Sequence, residues 1–134
     1  VPLGSLSSVA SGGELSRFML ALKVVMADVK SVPVMVFDEV DSGIGGAVAD
    51  AVGKRLRLLG VNRQVLVVTH QPQVAALGHG HFKIEKQVEG DVSTTQIRPL
   101  TAEERQQEIA RMLSGADITE AAEAAAEQLL ASTG

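Results

Sequence analysis

Three short stretches carry residues whose types and spacing suit phosphate chemistry. The first is Asp38-Glu39, placed directly behind the apolar run Val34-Met35-Val36-Phe37. A carboxylate at the end of a strand can hold Mg²⁺, usually through water, because that ion keeps part of its hydration shell. A second carboxylate beside it can polarise an attacking water. The competing reading is two acids that simply begin a loop, since strand ends often carry acids without a metal. The second stretch is Ser11-Gly12-Gly13-Glu14, at the start of a helical pattern. Two glycines in a first turn cost about 1 kcal/mol each relative to Ala. They leave bare backbone N–H groups and the positive end of the helix dipole facing a possible anion, with the Ser hydroxyl as a further donor. Alone, the stretch reads equally well as a helix cap. The third is His70, directly behind a second apolar run. A lone His is more often a structural hydrogen-bonder, but beside a phosphate it can donate to developing charge.

Other combinations do not build a site. Gly43-Ile44-Gly45 resembles a dinucleotide fingerprint, but Val48 stands where its third glycine belongs. Asp38, Glu39 and Asp41 would also repel a pyrophosphate placed there without a metal. Gly53-Lys54 resembles the end of a P-loop, yet Arg55 replaces the Ser/Thr and no glycine sits five residues earlier. His79 and His81 can share one face of a strand, but no third metal ligand is evident.

These residues need elements to position them. Leu15, Phe18, Met19, Leu22, Val25, Met26 and Val29 form one stripe that predicts a helix over residues 14–30, with Ser11 and Glu14 as a capping box. Residues 33–37 read as a strand buried on both faces, as in a parallel sheet. A Gly-rich turn, residues 41–46, leads into a helix whose apolar face is Val48, Ala51, Val52, Leu56 and Leu59. Residues 64–69 predict a second buried strand, which completes a βαβ unit. A short helix over 72–77 follows, then paired strands over 81–88 and 92–99 around Glu89-Gly90-Asp91. Thr101 and Glu104 cap a helix over 101–113 that Gly115 stops. An Ala-rich helix over 118–131 shows a weak stripe of Ile118, Ala122, Ala125 and Leu129. In open α/β sheets ligands sit at the C-terminal ends of strands, which is where Asp38-Glu39 and His70 fall.

Composition narrows the alternatives. The chain has 134 residues, enough for one domain at most. It has three Phe and neither Trp nor Tyr, which argues against single-strand nucleic-acid modules that stack bases on aromatic rings. With no Cys, disulfides, thiolate zinc sites and a Cys nucleophile are excluded. The longest apolar run, residues 32–37, is far short of the ~20 residues that span a bilayer. No basic segment leads into an apolar one at the start, so a reducing cytoplasm is the expectation. The net charge is −4. From Leu100 onward seven acids face two bases, and the preceding part is nearly neutral. Neither part has the basic surplus that non-specific DNA binding needs.

In order, the motifs read Ala10-Ser-Gly-Gly-Glu-Leu-Ser-Arg17, Val34-Met-Val-Phe-Asp-Glu-Val-Asp-Ser-Gly-Ile-Gly-Gly46 and Val67-Val-Thr-His-Gln-Pro-Gln-Val74. Together they resemble the C-terminal half of an ABC-type ATPase head of the structural-maintenance-of-chromosomes (SMC) kind, and in detail the RecN family of bacterial DNA repair proteins. The resemblance runs from about Leu6 to the C-terminus. It implies an α/β fold for residues 1–134: the C-terminal lobe of a P-loop ATPase head, with parallel strands, flanking helices, a C-terminal β-hairpin and further helices. It implies ATP and Mg²⁺ as cofactors. Asp38 would be the Walker B residue for Mg²⁺, Glu39 the water-activating base, and His70 the switch histidine at the γ-phosphate. Asp41 would be the D-loop acid at the head–head interface. Ser11, Gly12 and Gly13 would cap the γ-phosphate of ATP held by an opposing head. The implied partners are the Walker A half of the same head, an opposing head in a homodimer, and DNA through the complete protein. No membrane is implied. The implied setting is the bacterial cytoplasm and nucleoid, in double-strand-break repair, recombination and the SOS response to DNA damage.

One departure stands out. The family's Walker A loop and glutamine loop are absent from these residues, so the expectation is half a nucleotide site, inactive alone. A half-domain should also expose apolar faces meant for its other half. Two alternatives remain. An ATP-binding subunit of a membrane transporter usually follows Walker B with a Pro-Thr-Ser-type segment, where Val40-Asp41-Ser42-Gly43 stands here. A non-catalytic head-dimerisation module is disfavoured because both Glu39 and His70 are retained.

Overall fold

The computed structural model describes residues 32–39 and 41–133. Ser11, Gly12, Gly13 and the helix predicted over 14–30 lie outside the described residues. The described residues gather into two compact units that divide between Leu77 and Gly78.

In the first unit, strand β1 (Val34–Asp38) and strand β2 (Gln64–Val68) pair in parallel, with Val34 opposite Gln64 and Asp38 opposite Val68. Helix α1 (Gly46–Leu59) joins them, and the short helix α2 (Pro72–Ala75) comes next. The apolar runs are rich in β-branched valine, which fits a pleated surface. Phe37, Ile44, Ala49, Val52, Leu56 and Val74 form the core, with Met35, Val65 and Val67 packed against it. The predicted βαβ order is therefore present.

The predicted burial of the strands on both faces is not. Val34, Val36, Leu66 and Val68 are exposed, Val36 to 64%. Side chains alternate along a strand, and α1 covers only the face of Met35, Phe37, Val65 and Val67. The opposite face is as apolar as the covered one. The face of α1 is also corrected. Its buried row is Ala49, Val52, Gly53 and Leu56, while Ala51 is exposed. The small residues mark where the helix approaches its neighbour most closely. A Cβ on Gly53 would lie 2.6 Å from Leu77 Cδ1 and 3.3 Å from the Val74 Cα. Arg57 then donates from Nη1 to the Leu77 carbonyl at 2.6 Å. Gly53 is thus a packing glycine.

In the second unit, strand β3 (Phe82–Glu89) and strand β4 (Val92–Pro99) form the predicted antiparallel hairpin, with Phe82 opposite Pro99 and Glu89 opposite Val92. Gly90 turns it at φ +61. Helix α3 (Ala102–Ser114) starts on the predicted capping box. Thr101 accepts from the Glu104 N–H at 3.2 Å, and Glu104 accepts from the Thr101 N–H at 3.1 Å. Gly115, at φ +83, ends the helix. Helix α4 (Glu120–Ala131) begins later than predicted, because the Thr119 side chain caps it by accepting from the Ala122 N–H at 3.1 Å. That leaves Ile118 outside the helix and exposed. The buried positions of α4 are Ala122 and Ala126, in place of the predicted Ala125. Ile109 and Ala110 supply the buried residues of α3, and α3 packs on α4.

The hairpin's polarity is inverted. Phe82, Ile84, Val88 and Ile97 are exposed, whereas Lys83 and Glu85 are half-buried. Lys83 Nζ meets Glu108 Oε2 on α3 at 3.2 Å, and Arg98 pairs with both Glu85 and Glu104. Glu108, nearly buried, is pushed up by desolvation, but hydrogen bonds from Arg111 and Lys83 outweigh this and hold its carboxyl below the ordinary value.

Burial pushes the His81 imidazole below its ordinary 6.5. The positive charge of Arg105 adds to this and Glu108 opposes it. The fold therefore favours neutral His81. As pH falls below the unfolded value the unfolded chain takes up the proton first, so the stability held above that pH is lost as pH falls through the lowered folded value. Thermal unfolding should occur at a lower temperature at about pH 5.5 than at about pH 7.5, and His81→Gln should shrink that difference. An unchanged difference in the variant would remove His81 as its source.

Candidate functional site

The site grows from the ends of the two parallel strands. Because β1 and β2 are paired through Asp38 and Val68, both chains leave the sheet at the same level. The first residue after β1 remains tied to its neighbour, the Glu39 N–H donating to the Val68 carbonyl at 2.8 Å. Two residues beyond Val68 comes His70. Its Nδ1 lies 3.7 Å from Glu39 Oε1, within ion-pair range but too long for a hydrogen bond. Both side chains are solvent-exposed. Asp38, the last residue of β1, is exposed as well. The structure therefore brings together Glu39 and His70, which sequence reasoning placed at two separate strand ends; Asp38 directly precedes Glu39 in the chain.

Glu39 has φ +50, the left-handed region that costs an L-residue roughly 1–2 kcal/mol. It is the non-glycine residue in that region among the described residues. Non-glycine strain of this kind gathers at functional sites. The loop beyond it turns tightly. The Ser42 N–H donates to the Glu39 carbonyl at 3.1 Å, and the Ile44 N–H to the Asp41 carbonyl at 3.3 Å. Gly43 supplies the second left-handed residue, at φ +78.

Asp41, two residues beyond Glu39, has none of its surface exposed in this chain. Its Oδ2 accepts a hydrogen bond from the Thr69 hydroxyl, and its Oδ1 has no hydrogen-bond partner among the described residues. Within this chain the carboxylate braces the loop. Sequence reasoning missed the residues that receive it. Thr69 Oγ1 also accepts from the Gln71 N–H at 2.9 Å, and Gln71 Nε2 donates to the Ile44 carbonyl at 3.3 Å. The available signal was a hydroxyl and an amide flanking His70 in Thr69-His70-Gln71.

Among the described residues no three His, Asp or Glu side chains gather closely enough to hold a metal ion. Asp38 is one exposed, hard carboxylate, a type of group that suits Mg²⁺ as a single ligand with other oxygens completing the shell. Among the described residues no helix is long and apolar enough to cross a membrane.

The strain at Glu39 has a measurable consequence. Glycine tolerates positive φ without a Cβ penalty but loses more freedom on folding. Glu39→Gly should leave stability unchanged or raise it by up to about 1 kcal/mol, where glycine elsewhere in a strand end would lower it. Chemical denaturation of the two chains tests this, and a clear loss of stability would show that the left-handed backbone is not strained.

No protein-family model matches the chain. Curated relatives do. It is 57% identical over 129 residues to the "DNA repair protein RecN" of Deinococcus radiodurans, 54% to that of Xylella fastidiosa (strain 9a5c) and 43% to that of Bacillus subtilis. Each match covers 96% of this chain, which spans only 22–23% of the relatives' length. The resemblance read from the three motifs thus holds across nearly the whole chain. Among solved structures, a chain from work on "ATP-driven dimerization and DNA stimulated activation of SMC ATPases" matches with a TM-score of 0.65 and 19% identity, covering 82% of this chain and 66% of that one. At that identity the likeness establishes the fold alone, an α/β lobe shared with that chain.

Proposed function

We infer that this chain, RecN-like over 96% of its length, supplies half of an ATP-hydrolysing site in a DNA repair protein. The observation that carries the reading is the meeting of Glu39 and His70, 3.7 Å apart at the ends of adjacent parallel strands. Asp38 beside them is the residue to hold Mg²⁺. Bound there, the ion would neutralise charge on the phosphates. Glu39 accepts the proton of the attacking water as its oxygen bonds to the γ-phosphorus and the bond to the bridging oxygen breaks. His70 donates a hydrogen bond to the γ-phosphate as charge develops. Ser11, Gly12 and Gly13 would present backbone and hydroxyl donors to the γ-phosphate of ATP on an opposing head, so that two heads close over two shared sites.

The phosphate-gripping lysine and hydroxyl of a P-loop are not among these 134 residues. The other half of the head must supply them. The exposed apolar face of Val34, Val36, Leu66 and Val68 is a surface against which elements of such a half would pack. The relatives' shared name favours DNA repair over a transporter's ATP-binding subunit, and double-strand breaks are the substrate proposed. DNA would be gripped by parts beyond this chain, whose own net charge is −4. The corresponding setting is the bacterial cytoplasm and nucleoid.

The isolated chain should neither bind ATP at micromolar concentration by calorimetry nor hydrolyse it. Clear binding, with turnover abolished by Glu39→Gln, would overturn the half-site reading. In the complete protein, Glu39→Gln should slow hydrolysis by at least about 10²-fold and prolong ATP-bound pairing of heads. Normal turnover in that variant would remove Glu39 from its role.

A further inference from the structure

The two loops of the site are joined by one hydroxyl. Thr69 Oγ1 donates to the buried Asp41 carboxylate and accepts from the Gln71 N–H. On its chain neighbours hang the two contacts that define the site: the Val68 carbonyl receives the Glu39 N–H, and His70 faces the Glu39 carboxylate. Gln71 closes the ring by donating to the Ile44 carbonyl on the Asp41 loop. The residue at 69 must therefore donate and accept at once, which among small side chains only Thr and Ser do. Valine has the same shape and does neither. It would leave the Asp41 carboxylate wholly buried with neither oxygen paired among the described residues, and a buried acceptor without a partner is costly.

We infer that Thr69 is a positioning residue. Through Asp41 it fixes the loop that carries Glu39 against the loop that carries His70, so that the base and the phosphate-facing imidazole keep their mutual register. This rests on the roles proposed for Glu39 and His70. A misplacement of the order of an ångström costs up to about 10²-fold in rate without weakening ground-state binding. The link therefore belongs to kcat, while the grip on ATP lies with residues the link does not touch.

The test uses the complete protein, with steady-state kinetics and a melting curve for each variant. Thr69→Val should lower kcat at least about tenfold with the KM for ATP nearly unchanged, and Thr69→Ser should restore most of the rate. Asp41→Ala reads the same link from its other end while removing the buried charge, and it keeps the test decisive should Thr69→Val not fold. It should lose kcat to a similar extent. Wild-type kcat in either Thr69→Val or Asp41→Ala would overturn the inference. So would a change confined to KM, or an equal loss in Thr69→Val and Thr69→Ser, which would make the effect one of packing. Glu39→Gln, run alongside, separates the two levels. If it turns over normally, the site reading fails and the link falls with it. If it is inactive while Thr69→Val is normal, only the link fails.

Discussion

Everything at the site depends on the parallel, in-register pairing of β1 with β2. A parallel pair sends both chains out of the sheet in the same direction, and the Asp38–Val68 register sets them level. A shift of one residue would reverse which faces the side chains of one strand occupy. Phe37 would then leave the core, and Glu39 would no longer meet the Val68 carbonyl. The core thus specifies the chemistry indirectly. Phe37, Val52, Leu56 and Val74 hold one register because one face is buried, and that register delivers a carboxylate and an imidazole to the same place.

Beyond the strands, the chain is held by different means. Glu39 sits in a left-handed conformation, and the Glu39 and Asp41 carbonyls accept the first turn's hydrogen bonds. The Asp41 side chain then reaches across to Thr69. The loop is short, strained and cross-braced, a combination that fixes geometry at some cost in stability. Gly53 contributes from below. By lacking a side chain it lets α1 lie against Val74 and Leu77, and that contact sets the path of the chain just after His70 and Gln71.

The features legible in the sequence were those written in local spacing. The capping box at Thr101 and Glu104 is a short-range pattern and formed as its spacing implies. The hairpin showed in its alternation and in Gly90, and the valine-rich strands showed as apolar runs. The three motifs were legible as a set because their order resembles that of a family whose members are similar to this chain over nearly its whole length. What could not be read was whatever depends on partners distant in the chain. The Asp41–Thr69 hydrogen bond spans 28 positions, and nothing about an Asp in a Gly-rich turn announces that it points inward. Burial of the strands failed for the same reason: Val34 and Val36 look like core residues, but a pattern of side chains cannot say whether a covering layer is present. The row on α1 shifted because Ala49 and Gly53 are chosen by the closeness of a neighbour, which hydrophobicity does not encode.

The inverted polarity of the hairpin carries a consequence for how such a protein is maintained in the cell. Phe82, Ile84, Val88 and Ile97 stand in solvent on an uncovered β-surface, while charged residues occupy the inner side. Surfaces of that kind are what chaperones retain and what proteases and aggregation act upon. An apolar β-surface left bare makes the folded chain itself prone to stick to its own copies, without any unfolding step.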